Sequence, residues 1–135
     1  MNHPDTSVIS RAPNYIKVIY SGEYQLKALV DLGKKVVTWA QQQGVSGVII
    51  DLSGSVGKLS ISDRYELVNH MTDSWPRYLS AAIIVKPSQT LKIAGFFWER
   101  MALSRGFKVS IQFNSMSAKK WILEAVNTNT IQSDY

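Results

Sequence analysis

The sequence predicts one α/β domain in which a mainly parallel sheet of four to five strands is flanked by helices. Three observations predict it. Segments of strand character alternate with segments of helical periodicity four times along the 135 residues, and the connections are short. Two strand segments are apolar throughout, which is typical of strands covered on both faces. Parallel strands joined through a helix form right-handed crossovers, so a right-handed (βα)4 arrangement follows.

The first half of the chain begins with a strand and an amphipathic helix. The segment YIKVIYSG (15–22) is rich in β-branched and aromatic residues and ends in a Ser-Gly turn, which predicts a strand. Apolar residues then recur every three or four positions from Leu26 to Ala40, which predicts a helix that ends at Gly44. The next segment, VSGVIIDL (45–52), is a short apolar strand that leads into a glycine-rich bend.

The second half continues the alternation. A second helix follows the bend and ends near Pro76, since proline cannot continue it. The apolar segment AAIIV (81–85) predicts a third strand, and a third helix runs over 89–104. The alternating segment FKVSIQF (107–113) predicts a fourth strand. The segment SMSAKKWILEA (115–125) then predicts a closing helix.

We expect a flexible leader over 1–14, the folded domain over 15–126 and a frayed tail over 127–135. The first residues lack the basic start and apolar stretch of a secretory signal, and no apolar run approaches the roughly 18 residues that cross a bilayer. The absence of cysteine excludes disulfides and thiolate metal sites. These features predict a cytoplasmic protein without a transmembrane segment.

The net charge of +5 arises from 15 Lys and Arg against 10 Asp and Glu. The basic residues are scattered, and the only adjacent pairs of lysines are Lys34–Lys35 and Lys119–Lys120. Stacking aromatics do not alternate with basic residues as they do in proteins that bind single strands. We therefore expect a mildly basic solvated surface and no specific nucleic-acid partner.

The bend after the second strand is the first candidate binding site, because ligands of open α/β sheets bind outside the carboxyl ends of the strands. Its segment GVIIDLSGSVGKLSISD (47–63) contains Gly57–Lys58 and a nearby serine, as in a phosphate-binding Walker A loop. Leu52 and Leu59 occupy the glycine and Ser/Thr positions of that motif, which excludes it, and the dinucleotide-binding glycine pattern is also missing. The candidate binding loop is Asp51, Ser53, Gly54, Ser55, Gly57 and Lys58.

The residues of this chain do not form a recognisable catalytic or metal-binding set. The two histidines, His3 and His70, have no histidine three or four residues away, and a serine nucleophile needs a base. Asp51 and Asp63 could face each other across the bend, although a turn-forming and a helix-starting aspartate explain the pair as well. We expect a protein that is not an enzyme, without a metal or cofactor.

The order of these segments resembles the STAS and SpoIIAA-like superfamily, which includes bacterial anti-sigma-factor antagonists. The resemblance lies in IKVIYSGEY and VSGVIIDLSGS, and in the C-terminal half it extends to uncharacterised bacterial SpoIIAA-like proteins through SAAIIV and the closing AKKWIL. It spans residues 15–126. The resemblance implies a four-turn βα superhelix that acts in regulation through protein–protein contacts, or that binds a small apolar or anionic ligand.

In the antagonists, a partner kinase phosphorylates a serine at the start of the second helix. The matching stretch here is LSISDRYEL, so the resemblance makes Ser60 and Ser62 candidate phosphosites. Neither serine follows an aspartate or precedes a glycine, unlike the serine of the family motif. The alternative is that one of them is the N-cap of the helix.

The third helix has a wider apolar surface than a single buried stripe requires. Its aromatic and sulfur-containing residues are Phe96, Phe97, Trp98 and Met101. They are either covered within the domain, or form a homodimer contact or the wall of a pocket for a lipid-like ligand. We thus expect a bacterial regulatory or binding module that uses its strand-end loops and third helix, with carriage or sensing of a small ligand as the alternative.

Overall fold

A computed structural model describes residues 5–12, 14–89 and 95–133 of the chain, and the side chains of residues 14–88 and 98–127. The described residues form five strands and four α-helices. In chain order these are β1 (Asp5–Ala12), β2 (Tyr15–Glu23), α1 (Leu26–Gln43), β3 (Gly47–Val56), α2 (Ile61–Ser74), β4 (Ser80–Ile84), α3 (Gly95–Ser104), β5 (Val109–Gln112) and α4 (Ser115–Ser133).

The strands form one sheet in the order β1-β2-β3-β4-β5. The four strands β2 to β5 are parallel, which confirms the α/β prediction, and β1 pairs antiparallel with β2. Each helix between parallel strands therefore leads to the next neighbour in the sheet. Residues of α1, α2 and α3 pack on one face in a single core, whereas α4 packs on the opposite face.

The two faces explain why β3 is continuously apolar. Val48 and Ile50 belong to the core beneath α1, α2 and α3, while Ile49 between them packs with Ile122 and Val126 of α4. Successive side chains of a strand point to opposite faces, so a strand between two helical layers needs apolar residues at every position. The sheet is thus covered on both sides in its centre.

The predicted leader was wrong for residues 5–12, because these residues form β1. Its pairing runs from Asp5 opposite Ser21 to Ala12 opposite Tyr15, with a register irregularity between Asp5 and Val8. This strand is stabilised by its hydrogen bonds to β2, so its short sequence carries little signal of its own. The predicted tail also differs, since α4 continues to Ser133.

A glycine sets the end of α1. Gly44 ends α1 in the left-handed conformation, with φ 67°, and its N–H donates to the carbonyl oxygen of Gln41, as predicted. A 3-10 turn occupies Pro87–Gln89, where the third helix was predicted to begin, and the described part of that helix, α3, covers Gly95–Ser104; residues 90–94 lie outside the described ranges.

The outer edge of β5 is partly covered by α3. The Glu99 Oε2 atom accepts a hydrogen bond of 2.7 Å from the backbone N–H of Ile111. A carboxylate in this place supplies a partner for an edge N–H group that no further strand satisfies.

Across the described ranges, no helix has both the length and the apolar character to cross a bilayer.

Candidate functional site

The predicted binding loop is largely a continuation of β3. Ser53, Gly54 and Ser55 belong to the strand, and Gly54 lies opposite Ser21 in the pairing with β2. A register irregularity in this pairing allows both strands to extend beyond the point where the apolar run ends. The prediction of a bend at these residues was therefore wrong, and the chain turns at Gly57, whose φ is 84°.

The side chains of this segment have local partners or point to solvent. Asp51 Oδ1 accepts hydrogen bonds from the N–H of Ser53, at 2.9 Å, and from its Oγ, at 2.6 Å. Ser55 is buried and donates to the carbonyl oxygen of Tyr20 at 3.4 Å, whereas Lys58 is exposed. The hydrogen bonds between Asp51 and Ser53 are of the local kind found in Asx turns. They explain the presence of an aspartate at position 51 without a role for Asp63.

Two tyrosines that the sequence did not single out donate hydrogen bonds to backbone carbonyl groups at this end of the sheet. The Tyr24 hydroxyl donates to the carbonyl oxygen of Leu52 at 3.4 Å, and the Tyr20 hydroxyl donates to that of Glu23 at 2.8 Å. Burial raises the pKa of Tyr24 to about 12, although a hydrogen bond with Ser55 opposes the shift. Burial, and then the negative charge of Glu23, also raise the pKa of Tyr20. Both hydroxyls are therefore protonated donors at neutral pH.

Ser60 is the N-cap of α2, which confirms that alternative as a structural role. Its Oγ accepts a hydrogen bond of 3.1 Å from the N–H of Asp63, and the Oγ of Ser62 lies 3.3 Å away. Both serines are exposed. Phosphorylation of either serine remains a prediction.

We expect Ser60→Ala to lower the free energy of unfolding by about 1 kcal/mol, because the N–H of Asp63 loses its acceptor. Ser62→Ala, which removes a neighbouring hydroxyl that does not cap the helix, should change it by less than about 0.5 kcal/mol. Urea denaturation followed by circular dichroism measures both. Equal losses in the two variants would contradict the assignment of Ser60 as the cap.

The strongest candidate for a binding site is a cavity of about 120 Å³ between the sheet and the three helices on that face. The sheet forms its floor through β3, β4 and β5, and α1, α2 and α3 form its walls. Its lining residues are almost all apolar: Leu29, Leu32, Gly33, Ile50, Leu52, Leu67, Val68, Met71, Thr72, Trp75, Ala81, Ile83, Trp98, Ala102, Phe107 and Val109.

Small residues on three elements contribute to the lining of this space. Gly33 of α1, Ala81 of β4 and Ala102 of α3 all line the cavity. A Cβ atom added to Gly33 would lie 2.1 Å from Cε of Met71, so the glycine makes room for the tip of that side chain. Larger residues at these places would fill the space, because side chains in protein cores pack at nearly crystalline density.

The four residues predicted on the third helix fall into two groups. Trp98 is 6% exposed and lines the cavity, and Met101 packs against the same core without lining it. The side chains of Phe96 and Phe97 lie outside the described residues. Among the described residues of this helix, Trp98 and Ala102 line the cavity; the sequence position of Ala102 alone does not distinguish it from other apolar positions.

The fold and the cavity define the class as an α/β protein with four parallel strands in sequential order and an apolar cavity beneath its third helix. A search for matching family models and curated proteins finds none. Within the described part of the chain, no three His, Asp or Glu residues come together in a way that could hold a metal ion.

Proposed function

We propose that this chain is a non-enzymatic binding module of SpoIIAA/STAS-like type that carries or senses a small apolar ligand in the cavity beneath α3. The observation that carries the proposal is the cavity itself. Small-molecule sites are concave and mostly apolar, and apolar surface that remains in contact with water is unfavourable. A cavity of about 120 Å³ with apolar walls is therefore a feature that a ligand would make favourable.

The sequential order of the parallel strands supports the family part of the proposal. Each βα unit adds its strand beside the previous one, from β2 to β5. A four-turn βα superhelix requires this order, whereas a doubly wound sheet reverses direction at a switch point. The strand order thus agrees with the resemblance of the sequence over residues 15–126.

The cavity limits the size of the ligand. An apolar cavity of about 150 Å³ takes up benzene, so about 120 Å³ suits a molecule of roughly six carbon atoms, or one short arm of a larger ligand. None of the described residues that line the cavity has a charged side chain. Because an unpaired buried charge is costly, this lining favours the apolar ligand over the anionic one.

Two measurements test the proposal. Native mass spectrometry of the protein purified from its own cells should show an added mass that denaturation releases. Titration of the protein with benzene, followed by NMR chemical shifts of the lining methyl groups, should show saturable binding at Leu32 and Val68. A bare mass together with no saturable shifts at these methyl groups would contradict a binding function for the cavity.

Exposed apolar side chains favour a second function, contact with a protein partner at the carboxyl ends of the strands. Val56 at the end of β3 is 56% exposed, and Ile61 beside Ser60 at the start of α2 is 70% exposed. Exposed apolar side chains that follow closely in the chain at one end of the sheet are candidates for contacts with a partner. This surface agrees with the regulatory contacts that the family resemblance implies.

The variant Ile61→Asp tests the second function. We expect a partner captured by the native protein from cell extract to be lost from Ile61→Asp and retained by Met116→Asp, since Met116 is 84% exposed at the start of α4. Equal capture by all three proteins would exclude a partner contact at Ile61.

A further inference from the structure

The guanidinium group of Arg105 lies between the surface of the protein and the wall of the cavity beneath α3. Its Nη1 atom donates to Oδ1 of Asn69 at 2.9 Å and to Oγ1 of Thr72 at 2.8 Å. Asn69 is exposed, whereas Thr72, about one turn further along α2, lines the cavity. Arg105 itself is partly exposed. Its positive charge is therefore open to solvent and one hydrogen bond away from the cavity lining.

Arg77 brings a second positive charge to the same end of the cavity. Its Nη1 atom donates to the carbonyl oxygen of Arg105 at 2.6 Å, and its Cζ atom lies 5.0 Å from the ring centroid of Phe107, which also lines the cavity. Neither guanidinium group forms an ion pair with an acidic side chain in the described part of the chain. Two positive charges without a negative partner attract an anion to this place.

The contacts of Arg105 leave one edge of its guanidinium group available. Both printed acceptors, on Asn69 and Thr72, are neutral and bind Nη1, and the N–H groups of Nε and Nη2 have no partner among the described residues. The edge formed by Nε and Nη2 matches the two oxygens of a carboxylate. Arg105 can thus hold a carboxylate while it keeps its hydrogen bonds to α2.

We propose that the ligand is a short aliphatic carboxylate whose apolar chain lies in the cavity and whose carboxylate binds Arg105 at the rim. This proposal rests on the ligand-binding function proposed above. The apolar lining suits the chain, and the charged end avoids the cost of burial because it stays beside a partly exposed guanidinium. Hexanoate has this form, and its chain is close to the roughly six carbon atoms that a cavity of about 120 Å³ suits.

The test compares hexanoate with hexanamide, an uncharged probe with the same chain, in the native protein and in Arg105→Gln. Both probes should displace benzene from the methyl groups of Leu32 and Val68, because their chains occupy the same space. We expect the ratio of the hexanoate affinity to the hexanamide affinity to fall about tenfold in Arg105→Gln, since glutamine carries no charge. Benzene affinity within about twofold of the native value shows that the variant keeps the cavity.

The matched control is Lys119→Gln, which removes one positive charge from an exposed position of α4, the helix on the opposite face of the sheet. It should leave the affinity ratio within about twofold of the native value. An equal fall in the two variants would mean that the net charge of the protein attracts hexanoate, and an unchanged ratio in Arg105→Gln would exclude the contact with Arg105.

The outcomes also separate this proposal from the function on which it rests. Benzene that binds while hexanoate does not, or hexanoate that binds without displacing benzene, would overturn the carboxylate ligand and leave the ligand-binding function intact. Binding of none of the three probes to the native protein would overturn both.

A second measurement uses only the native protein and does not depend on the folding of a variant. Salt screens the attraction between charges that are open to solvent. Raising sodium chloride from about 0.02 M to about 0.5 M should therefore lower the hexanoate-to-hexanamide affinity ratio by at least about threefold. A ratio that is independent of salt would contradict an ionic contact between the carboxylate and Arg105.

Discussion

Ala102→Leu is expected to abolish benzene binding at the cavity beneath α3 while it raises the melting temperature of the free protein. The added isopropyl group places three carbon atoms in a space of about 120 Å³, and the remaining space is smaller than benzene. We expect the affinity to fall by at least about 100-fold. Burying three carbons in an empty apolar space should add about 1 kcal/mol to the free energy of unfolding, or roughly 4 °C.

The matched control is Ala125→Leu, which makes the same change on α4 at a residue that does not line the cavity. It should leave benzene affinity within about twofold of the native value. NMR titration measures the affinities, and calorimetry without ligand measures the melting temperatures. Native affinity in Ala102→Leu would show that benzene binds elsewhere, and a lower melting temperature would show that the space cannot take a leucine side chain.

Gly47→Ala is expected to lower the free energy of unfolding by about 3 kcal/mol. A Cβ atom on Gly47 would lie 2.7 Å from Cγ1 of Val126 and 2.9 Å from Cγ1 of Ile122. Both side chains are fully buried where α4 crosses β3, so they have little room to move away. The helix must then shift off the sheet, and the melting temperature should fall by roughly 10 °C.

Gly54→Ala is the control in the same strand. A Cβ atom there would lie 3.3 Å from Cβ of Ser21, which a small adjustment accommodates, and Gly54 is exposed. The lower conformational freedom of alanine in the unfolded chain partly offsets any strain, so we expect a change below about 1 kcal/mol. Urea denaturation of the two variants measures the difference. Equal losses would mean that Gly47 is needed for its strand conformation rather than for the approach of α4.

The elements that the sequence predicted correctly depend on residues close together in the chain. The continuous apolar run of β3 predicted a strand covered on both faces, and the core on one side and α4 on the other cover it. Gly44 ends α1, and Ser60 caps α2 through the N–H of Asp63. These signals act over a few residues, so the sequence expresses them directly.

The errors occur where a distant partner decides the structure. Asp5–Ala12 form a strand because β2 offers an edge for pairing, and the two prolines nearby made this stretch look irregular. The segment Ser53–Ser55 remains in β3 because β2 extends as far as Glu23. In both cases hydrogen bonds to another strand outweigh the weak local preference.

The sequence by itself determined the alternation of strands and helices, the parallel α/β class and two helix ends, because periodicity and capping are local properties of the chain. Only the tertiary structure decided where a ligand could bind. The cavity is lined by residues that are far apart in sequence, among them Leu32, Ala81 and Ala102. The burial of Trp98 in the same core likewise depends on residues distant in the chain, which the helical periodicity does not specify.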